Sequence, residues 1–294
     1  MKPARFEYHA PSSAEEAVGL LTELGDSAKV IAGGQSLVPV LAMRLAVFGH
    51  LIDIRRIGNL RGIEERDGSV WIGAATTEAE IGRSERLAAR VPLLTRATPL
   101  IGHFQIRNRG TIGGSLAHAD AAAEYPAVAL ALDATITARS PRGQRTIPAT
   151  EFFTGIWSTA LEPDEVLTGV EFPVSGRRQG FAIEEFARRA GDFAVAGAAV
   201  AVELDRDGGT VISRCAIGLF GLGATPLRSV SAETAAVGAS ARSPVTAKDV
   251  GEAAVADLES VPSDGHGSAA YRKRVGAALV ATAIGRAIEE ARHG

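Results

Sequence analysis

The chain has 294 residues, 31 basic and 34 acidic side chains and a formal charge of −3, a balance that argues against a nucleic-acid binder or a polybasic membrane-surface protein. Hydrophobic residues make up 46% and charged residues 22%, the mix of a globular protein long enough for two domains that each bury a core. Cys215 is the single cysteine, so no internal disulfide, CxxC redox pair, cysteine-ligated zinc or four-cysteine iron–sulfur cluster can be built from this chain alone.

The start, Met1 to His9, lacks the apolar core of a signal peptide, and stretches such as Phe193 to Val202 fall short of the ~18 residues a membrane span requires. A cytoplasmic protein is expected. Ser12 and Ser13, each with a glutamate three residues on, form a capping pattern ahead of Ala17, Leu20, Leu21 and Leu24, and Gly25 supplies the stop of this first helix. Strands are predicted over Lys29–Ala32 and Leu51–Ile54, then a hairpin around Asp67-Gly68. Thr77 with Glu80 opens a second short helix, and Pro92 to Phe104 is predicted helical. The glycine-rich stretch from Gln105 to His118 is expected as a loop feeding a helix from about Ala121 to Leu132.

A second hairpin is expected around Pro141-Arg142-Gly143, and a strand from Val166 to Phe172 closed by Pro173. The polar segment from Ser175 to Gly180 reads as a domain boundary. Beyond it come strands at 181–188, 194–204 and 210–220, the last two joined at Asp207-Gly208-Gly209, then helices including a long Ala-rich one from about Ser268 to Ala291. Strands cluster and helices cluster without regular alternation, which defines an α+β fold rather than a doubly wound parallel sheet.

Two motifs carry chemistry: Ala32-Gly33-Gly34-Gln35-Ser36 and Thr111-Ile112-Gly113-Gly114-Ser115. Paired glycines let main-chain N–H groups converge on an anion, and the adjoining serine adds a hydroxyl. Each pair alone reads as a tight turn; two matched motifs about eighty residues apart suggest a clamp on a pyrophosphate. Neither has the GxGxxG spacing of a dinucleotide fold, and Gly218, Gly221 and Gly223 have the wrong order for it. The six histidines show no i, i+4 pair and no HExxH, so no metal site is predicted. Ser36 and Ser115 lack a hydrolase GxSxG context, and no catalytic acid–base set stands out. Asp120 and Glu124 are expected on one helical face beside the second motif, with His118 just before them.

These motifs, extended to Leu37-Val38-Pro39 and Arg109-Gly110 and joined by His118-Ala119-Asp120, Glu165 to Pro173, Gly191-Asp192-Phe193-Ala194 and Gly221 to Pro226, resemble the FAD-binding medium subunit of the molybdenum hydroxylases. That group contains carbon monoxide dehydrogenase and bacterial xanthine dehydrogenase-like enzymes, and the resemblance covers nearly the whole chain. It implies a two-subdomain FAD-binding (PCMH-type) domain at 1–176, split near residue 57, and a C-terminal α+β domain at 177–294 with an antiparallel sheet and helices. It implies non-covalent FAD, since Gln35 stands where related folds that bond FAD covalently carry a histidine. Ala32, Gly33, Gly34, Gln35, Ser36 and Leu37, with Thr111, Ile112, Gly113, Gly114 and Ser115, would bind the pyrophosphate and nearby parts. Glu124 matches an acidic FAD-contacting position, with His118 and Asp120 beside it, and Ile101 and Leu167 match apolar positions near the flavin ring. Phe193 replaces a tyrosine that relatives place against the flavin, and Glu185 a lysine of some relatives.

The implied partners are a small iron–sulfur subunit and a large subunit with the molybdenum cofactor, the [2Fe-2S] clusters lying in partner chains, in a dimer of heterotrimers. The electron acceptor is a quinone, NAD, a cytochrome or oxygen, and the complex is cytoplasmic or peripheral at the inner membrane face. The competing readings are a free-standing FAD-dependent oxidoreductase and a cofactor-free scaffold.

Overall fold

The computed structural model describes residues 2–205 and 210–293, so the expected turn at Asp207-Gly208-Gly209 lies outside the described residues. The chain opens with β1 (Glu7–His9), α1 (Ala14–Leu24), β2 (Ala28–Ile31), α2 (Leu37–Ala42) and β3 (His50–Asp53). The three strands form a parallel sheet in the order β1-β3-β2. The Ser13 side chain caps α1 by accepting from the Glu16 N–H, while Ser12 donates its N–H and hydroxyl to the Glu16 carboxylate. Ala14, Ala17, Val18 and Leu21 form the buried stripe of α1 and pack with Ile52, Ile54 and Ile57.

The next unit runs β4 (Ile63–Arg66), β5 (Ser69–Gly73), α3 (Glu78–Gly82), α4 (Glu85–Arg90), α5 (Pro92–Ala97), α6 (Phe104–Arg107), α7 (Ile112–His118) and α8 (Glu124–Ala131). It continues with β6 (Thr135–Ser140), β7 (Gly143–Pro148), α9 (Ala149–Phe152), β8 (Phe153–Gly155), β9 (Ser158–Thr159) and β10 (Val166–Pro173). Its five-stranded sheet has the order β4-β5-β10-β6-β7, antiparallel throughout. Both predicted hairpins are present, and Gly68 takes the positive φ of its turn. Thr77 and Glu80 form the complete capping box of α3.

Three expectations in this stretch are corrected. The helix over Pro92–Phe104 stops at Ala97 and tightens into a 3-10 turn over Thr98–Leu100. Pro99 removes a main-chain donor there, and Gly102 turns left-handed at φ +44°. The stretch read as a loop instead carries α6 and α7, the second glycine motif being the first turn of α7 with Thr111 as its cap. Ala119 ends α7 in the left-handed region at φ +53°, and a turn over residues 120–123, in which Ala123 donates its N–H to the Asp120 carbonyl, stands between Asp120 and Glu124. The two acids therefore do not share a helical face, since α8 begins at Glu124.

The remaining chain forms β11 (Gln179–Phe186), β12 (Ala196–Leu204), β13 (Ile212–Phe220), β14 (Leu227–Arg228), α10 (Val230–Ala236), α11 (Pro244–Ala256) and α12 (Ala269–His293). The strands make an antiparallel sheet in sequence order, with α12 packed against β11 and β12. A parallel sheet, antiparallel sheets and clustered helices make this an α+β protein, as expected. Among the described residues no helix is long and apolar enough to cross a membrane.

Helix α8 lies inside the largest hydrophobic core, which joins the five-stranded sheet to β12 and β13. All eight of its residues are buried, so it has no solvent face and packs against β12 and β13 as well as α5 and α7. Gly218 of β13 lies directly on the Ala127 carbonyl, Gly221 donates its N–H to the Ala121 carbonyl at 2.7 Å, and Arg228 donates to the Leu130 carbonyl at 2.9 Å. A methyl group at Gly218 would collide with main chain rather than with a movable side chain. Gly218→Ala should therefore cost about 1–3 kcal/mol by overpacking, read as a fall in the thermal midpoint; an unchanged midpoint would show that α8 and β13 are not in close contact.

Candidate cofactor site

The site is built where β2 runs out. Ile31 is its last paired residue, opposite Asp53, and the chain turns through residues 32–36 into α2. Gly34 sits at φ +74°, a conformation that L side chains rarely adopt, and this bend opens the turn. Among the described residues, none of the main-chain N–H groups of residues 33–37 has a protein acceptor, whereas the next ones do, Val38 to the Gly34 carbonyl at 3.0 Å and Val40 to the Ser36 carbonyl at 3.3 Å. Gln35 folds back so that its side-chain amide donates to the Gly33 carbonyl at 3.1 Å, bracing the turn. A run of unpaired donors around a bent glycine is a concavity for an anion.

The second motif lies against the first. Gly33 is buried on the Arg109 carbonyl and the Gly110 Cα, so close that any Cβ would overlap them. A Cβ on Gly114 would lie 3.6 Å from Ala32. The second motif does not repeat the chemistry of the first, which corrects the expectation of two equivalent N–H cradles. Ile112 donates to the Thr76 carbonyl at 3.2 Å, Gly113 to Ala74 at 2.9 Å, Gly114 to the Thr111 hydroxyl at 3.0 Å and Ser115 to the Thr111 carbonyl at 2.9 Å. Gly113 is buried because α7 must approach the end of β5: a Cβ there would sit 2.5 Å from the Ala74 Cβ and 2.7 Å from its carbonyl oxygen. What α7 offers outward is the half-buried Ser115 hydroxyl, for which no hydrogen bond occurs among the described residues.

At the other end of α7, half-buried His118 stacks on Trp157, with ring centroids 6.3 Å apart and planes 10° from parallel. Its Nε2 is 3.9 Å from Asp120 Oδ2. Burial holds the imidazole below its usual range, against the pull of Asp120 and with help from Lys29, so it is neutral at pH 7. Asp120 accepts the Ala122 N–H at 2.8 Å and keeps its other oxygen toward His118. Trp157 is at the tip of the β8–β9 hairpin, 67% exposed and at φ +51°. The sequence gives no cue to that partnership, because the hairpin lies some forty residues from His118.

Three carboxyls form the acidic side. Glu124, the first residue of α8, is 9% exposed, and its carboxyl is pushed up to about 8 by burial and then by the charge of Glu185. Burial likewise raises Glu185, on β11, to about 7. Glu78 escaped the sequence reading because an acid in a helix's first turn is ordinary. It is 4% exposed, packs against Gly110, and is raised to about 7 by burial against the attraction of Arg107. One carboxyl oxygen each of Glu78 and Glu185 is buried without a hydrogen-bond partner.

The residues expected beside a flavin ring are placed unevenly. Ile101 is half-buried next to His103, whose ring the Gly191 main chain covers. Phe193, two residues on, is 71% exposed and so available for contact. Leu167 is 5% exposed within the core of the five-stranded sheet, at the bulge between Leu167 and Gly169.

A bent turn of unpaired N–H donors, hydroxyls at Ser36 and Ser115, and a flanking imidazole and carboxylate suit a ligand with a pyrophosphate and sugar hydroxyls, so the residues fit FAD. Residues 4–175 match the FAD binding domain in molybdopterin dehydrogenase, and residues 181–287 the CO dehydrogenase flavoprotein C-terminal domain. The chain belongs to this family of FAD-binding medium subunits, the flavoprotein components of molybdenum-containing oxidoreductases. Among its relatives, the 6-hydroxypseudooxynicotine dehydrogenase complex subunit alpha of Paenarthrobacter nicotinovorans is 43% identical over 292 residues, 99% of this chain and 97% of the relative. The carbon monoxide dehydrogenase medium chain of Hydrogenophaga pseudoflava is 40% identical over 287 residues, 98% of each. The solved structure of reconstituted CO dehydrogenase from Oligotropha carboxidovorans superposes with a TM-score of 0.94 at 38% identity, covering 98% of this chain and 99% of that one.

The different duties of the two motifs have a measurable consequence. Gly113→Ala should lower the stability of the FAD-free chain by about 1–3 kcal/mol through its clash with Ala74, whereas Ser115→Ala should leave the melting temperature unchanged. Equal melting temperatures for both variants would contradict the packing role of Gly113. The acids predict a pH trend. Folding raises Glu78, Glu124 and Glu185, so the folded chain keeps protons that the unfolded chain loses from about pH 4.5 upward. Their contribution to stability is fully present below that pH and is lost as pH rises to about 8. Glu124→Gln should flatten the fall in melting temperature of the FAD-free chain between pH 5 and pH 8; an unaltered slope counts against the buried, protonated Glu124.

Proposed function

We propose that the chain binds FAD non-covalently and serves as the electron-transfer subunit of a heteromeric molybdenum hydroxylase, of the carbon monoxide dehydrogenase or xanthine dehydrogenase-like kind. The observation that carries this reading is the unpaired N–H row of residues 33–37, held open by Gly34 and pressed against the second motif. Ala32, Gly33, Gly34, Gln35, Ser36 and Leu37 hold the pyrophosphate through main-chain donors, and Ser36 and Ser115 add hydroxyls. Thr111, Ile112, Gly113 and Gly114 act by placing Ser115 and closing the wall behind the ligand. Neutral His118 and Asp120 address sugar or ribityl hydroxyls, with Glu124 deeper in the same wall. Ile101 and Phe193 provide apolar contact for the ring, with Leu167 beneath.

Bound FAD supplies a redox centre that takes electrons singly and gives them up in pairs, and the protein positions and tunes it. Gln35, which is engaged with its own turn, offers no nucleophile for a covalent link at the position where related folds carry histidine. The division of the chain at residue 176, and of its first part near residue 57, belongs to this proposal. So do the partners: a small iron–sulfur subunit and a large molybdenum subunit, two copies of each heterotrimer associating. Cys215 is buried, its thiol pushed up to about 12 by burial and the charge of Glu233, and a lone cysteine cannot hold a cluster. The acceptor is a quinone, NAD, a cytochrome or oxygen, and the complex is cytoplasmic.

The test uses the isolated FAD-loaded chain under anaerobic stopped-flow. Dithionite should bleach the flavin band, candidate aldehydes, purines or carbon monoxide should not, and adding the iron–sulfur and molybdenum subunits should restore substrate-dependent bleaching. Acid precipitation should leave the FAD in solution. Rapid bleaching by a substrate without partners would establish the free-standing oxidoreductase instead, and flavin in the precipitate would overturn the non-covalent assignment.

A further inference from the structure

We propose that Glu7, His9 and His50 form a binding site for a transition-metal dication of the Zn2+ class, at the opposite end of the parallel sheet from the N–H row. The sheet register creates it. Glu7 pairs with His50 across β1 and β3, and His9 follows Glu7 by two residues, so all three side chains leave the same face. Glu7 is anchored by its N–H to the Gly49 carbonyl at 2.7 Å. His9 Nε2 is 3.0 Å from His50 Nδ1, and Glu7 Oε2 is 3.6 Å from the same nitrogen. One ligand atom from each residue lies within 4.8 Å of the other two, and no other set of three such residues does so among the described residues.

These separations match a metal polyhedron. Metal–ligand bonds near ~2.0 Å in tetrahedral geometry put neighbouring ligand atoms about 3.3 Å apart, between the two observed values. An ion requires only that the imidazoles open slightly and exchange their shared proton for the metal, which leaves a fourth position for water. Two imidazole nitrogens and one carboxylate select Zn2+, Ni2+ or Cu2+ over Mg2+ and Ca2+, which prefer all-oxygen ligands. The histidines are 41 positions apart, which is why spacing rules give no sign of the site.

The ion would fasten β1, a three-residue edge strand, to β3 and close the loop that contains residues 33–37. β3 begins at His50, opposite Ala28, whereas the N–H row departs beyond Ile31, opposite Asp53, so metal and FAD occupy different ends of the sheet.

Isothermal titration of ZnCl2 into tag-free, EDTA-treated, FAD-loaded chain tests the proposal. One Zn2+ should bind per chain, MgCl2 should give no saturable heat, and Zn2+ should raise the melting temperature. His50→Ala, and His9→Gln on the edge strand as the milder change, should each weaken Zn2+ by at least about tenfold while flavin content stays that of the parent. His293→Ala, at the other terminus, should bind as the parent does. Co2+ in place of Zn2+ should give a d–d band at longer wavelength than the flavin, lost in the His9 variant. Absence of saturable Zn2+ binding, or binding that survives both histidine substitutions, overturns the proposal.

Discussion

The structure hinges on one contact that only a glycine permits, the seating of Gly33 on the Arg109 carbonyl. It brings two segments about eighty residues apart into van der Waals contact and makes a three-stranded parallel sheet and a five-stranded antiparallel sheet share one wall. The turn after β2, bent at Gly34, lies on this contact with its main-chain N–H groups unpaired among the described residues. Gly34 supplies the bend and Gly113 the approach of α7 to β5, so three glycines in two similar motifs perform three different tasks.

The pairing of matched motifs nevertheless divides the labour. The first contributes donors from the main chain, whereas the second has its donors internally engaged and contributes side chains, Ser115 at one end of α7 and His118 at the other. Around this polar wall the charges are arranged to stay out of the way. His118 is kept neutral, and three acids are kept at or above neutral titration by burial. An anionic ligand thus meets less negative charge near neutrality than these three acids would carry if fully ionised.

Locally encoded features were legible from the sequence. The caps at Ser13 and Thr77, the two hairpins, the strand after each turn and the long final helix are set by neighbours a few residues apart. The errors occurred where tertiary contacts override local composition. A Gly-Gly pair near the start of a segment reads as a loop, yet α7 forms because Thr111 caps it and β5 receives its buried glycine. Asp120 and Glu124 have helical spacing, but the left-handed Ala119 ends α7 before Asp120 and the next helix starts only at Glu124. Strand β1 is too short to show a period, and Trp157, Glu78 and the His9–His50 pair acquire meaning only from partners distant in sequence.

Helix α8 sits in one hydrophobic interior that reaches from the five-stranded sheet to β12 and β13, with Glu124 at its leading end and Ala127 beneath Gly218. For anyone dividing or recombining this molecule, the natural cut is therefore not where the polypeptide is most polar. Severing it after the five-stranded sheet would strip one flank of α8 and leave a greasy, two-sided helix facing water. The C-terminal half would in turn lose the floor of its β-sheet. A modular swap among such proteins would succeed only if α8 travelled with both of the surfaces it joins.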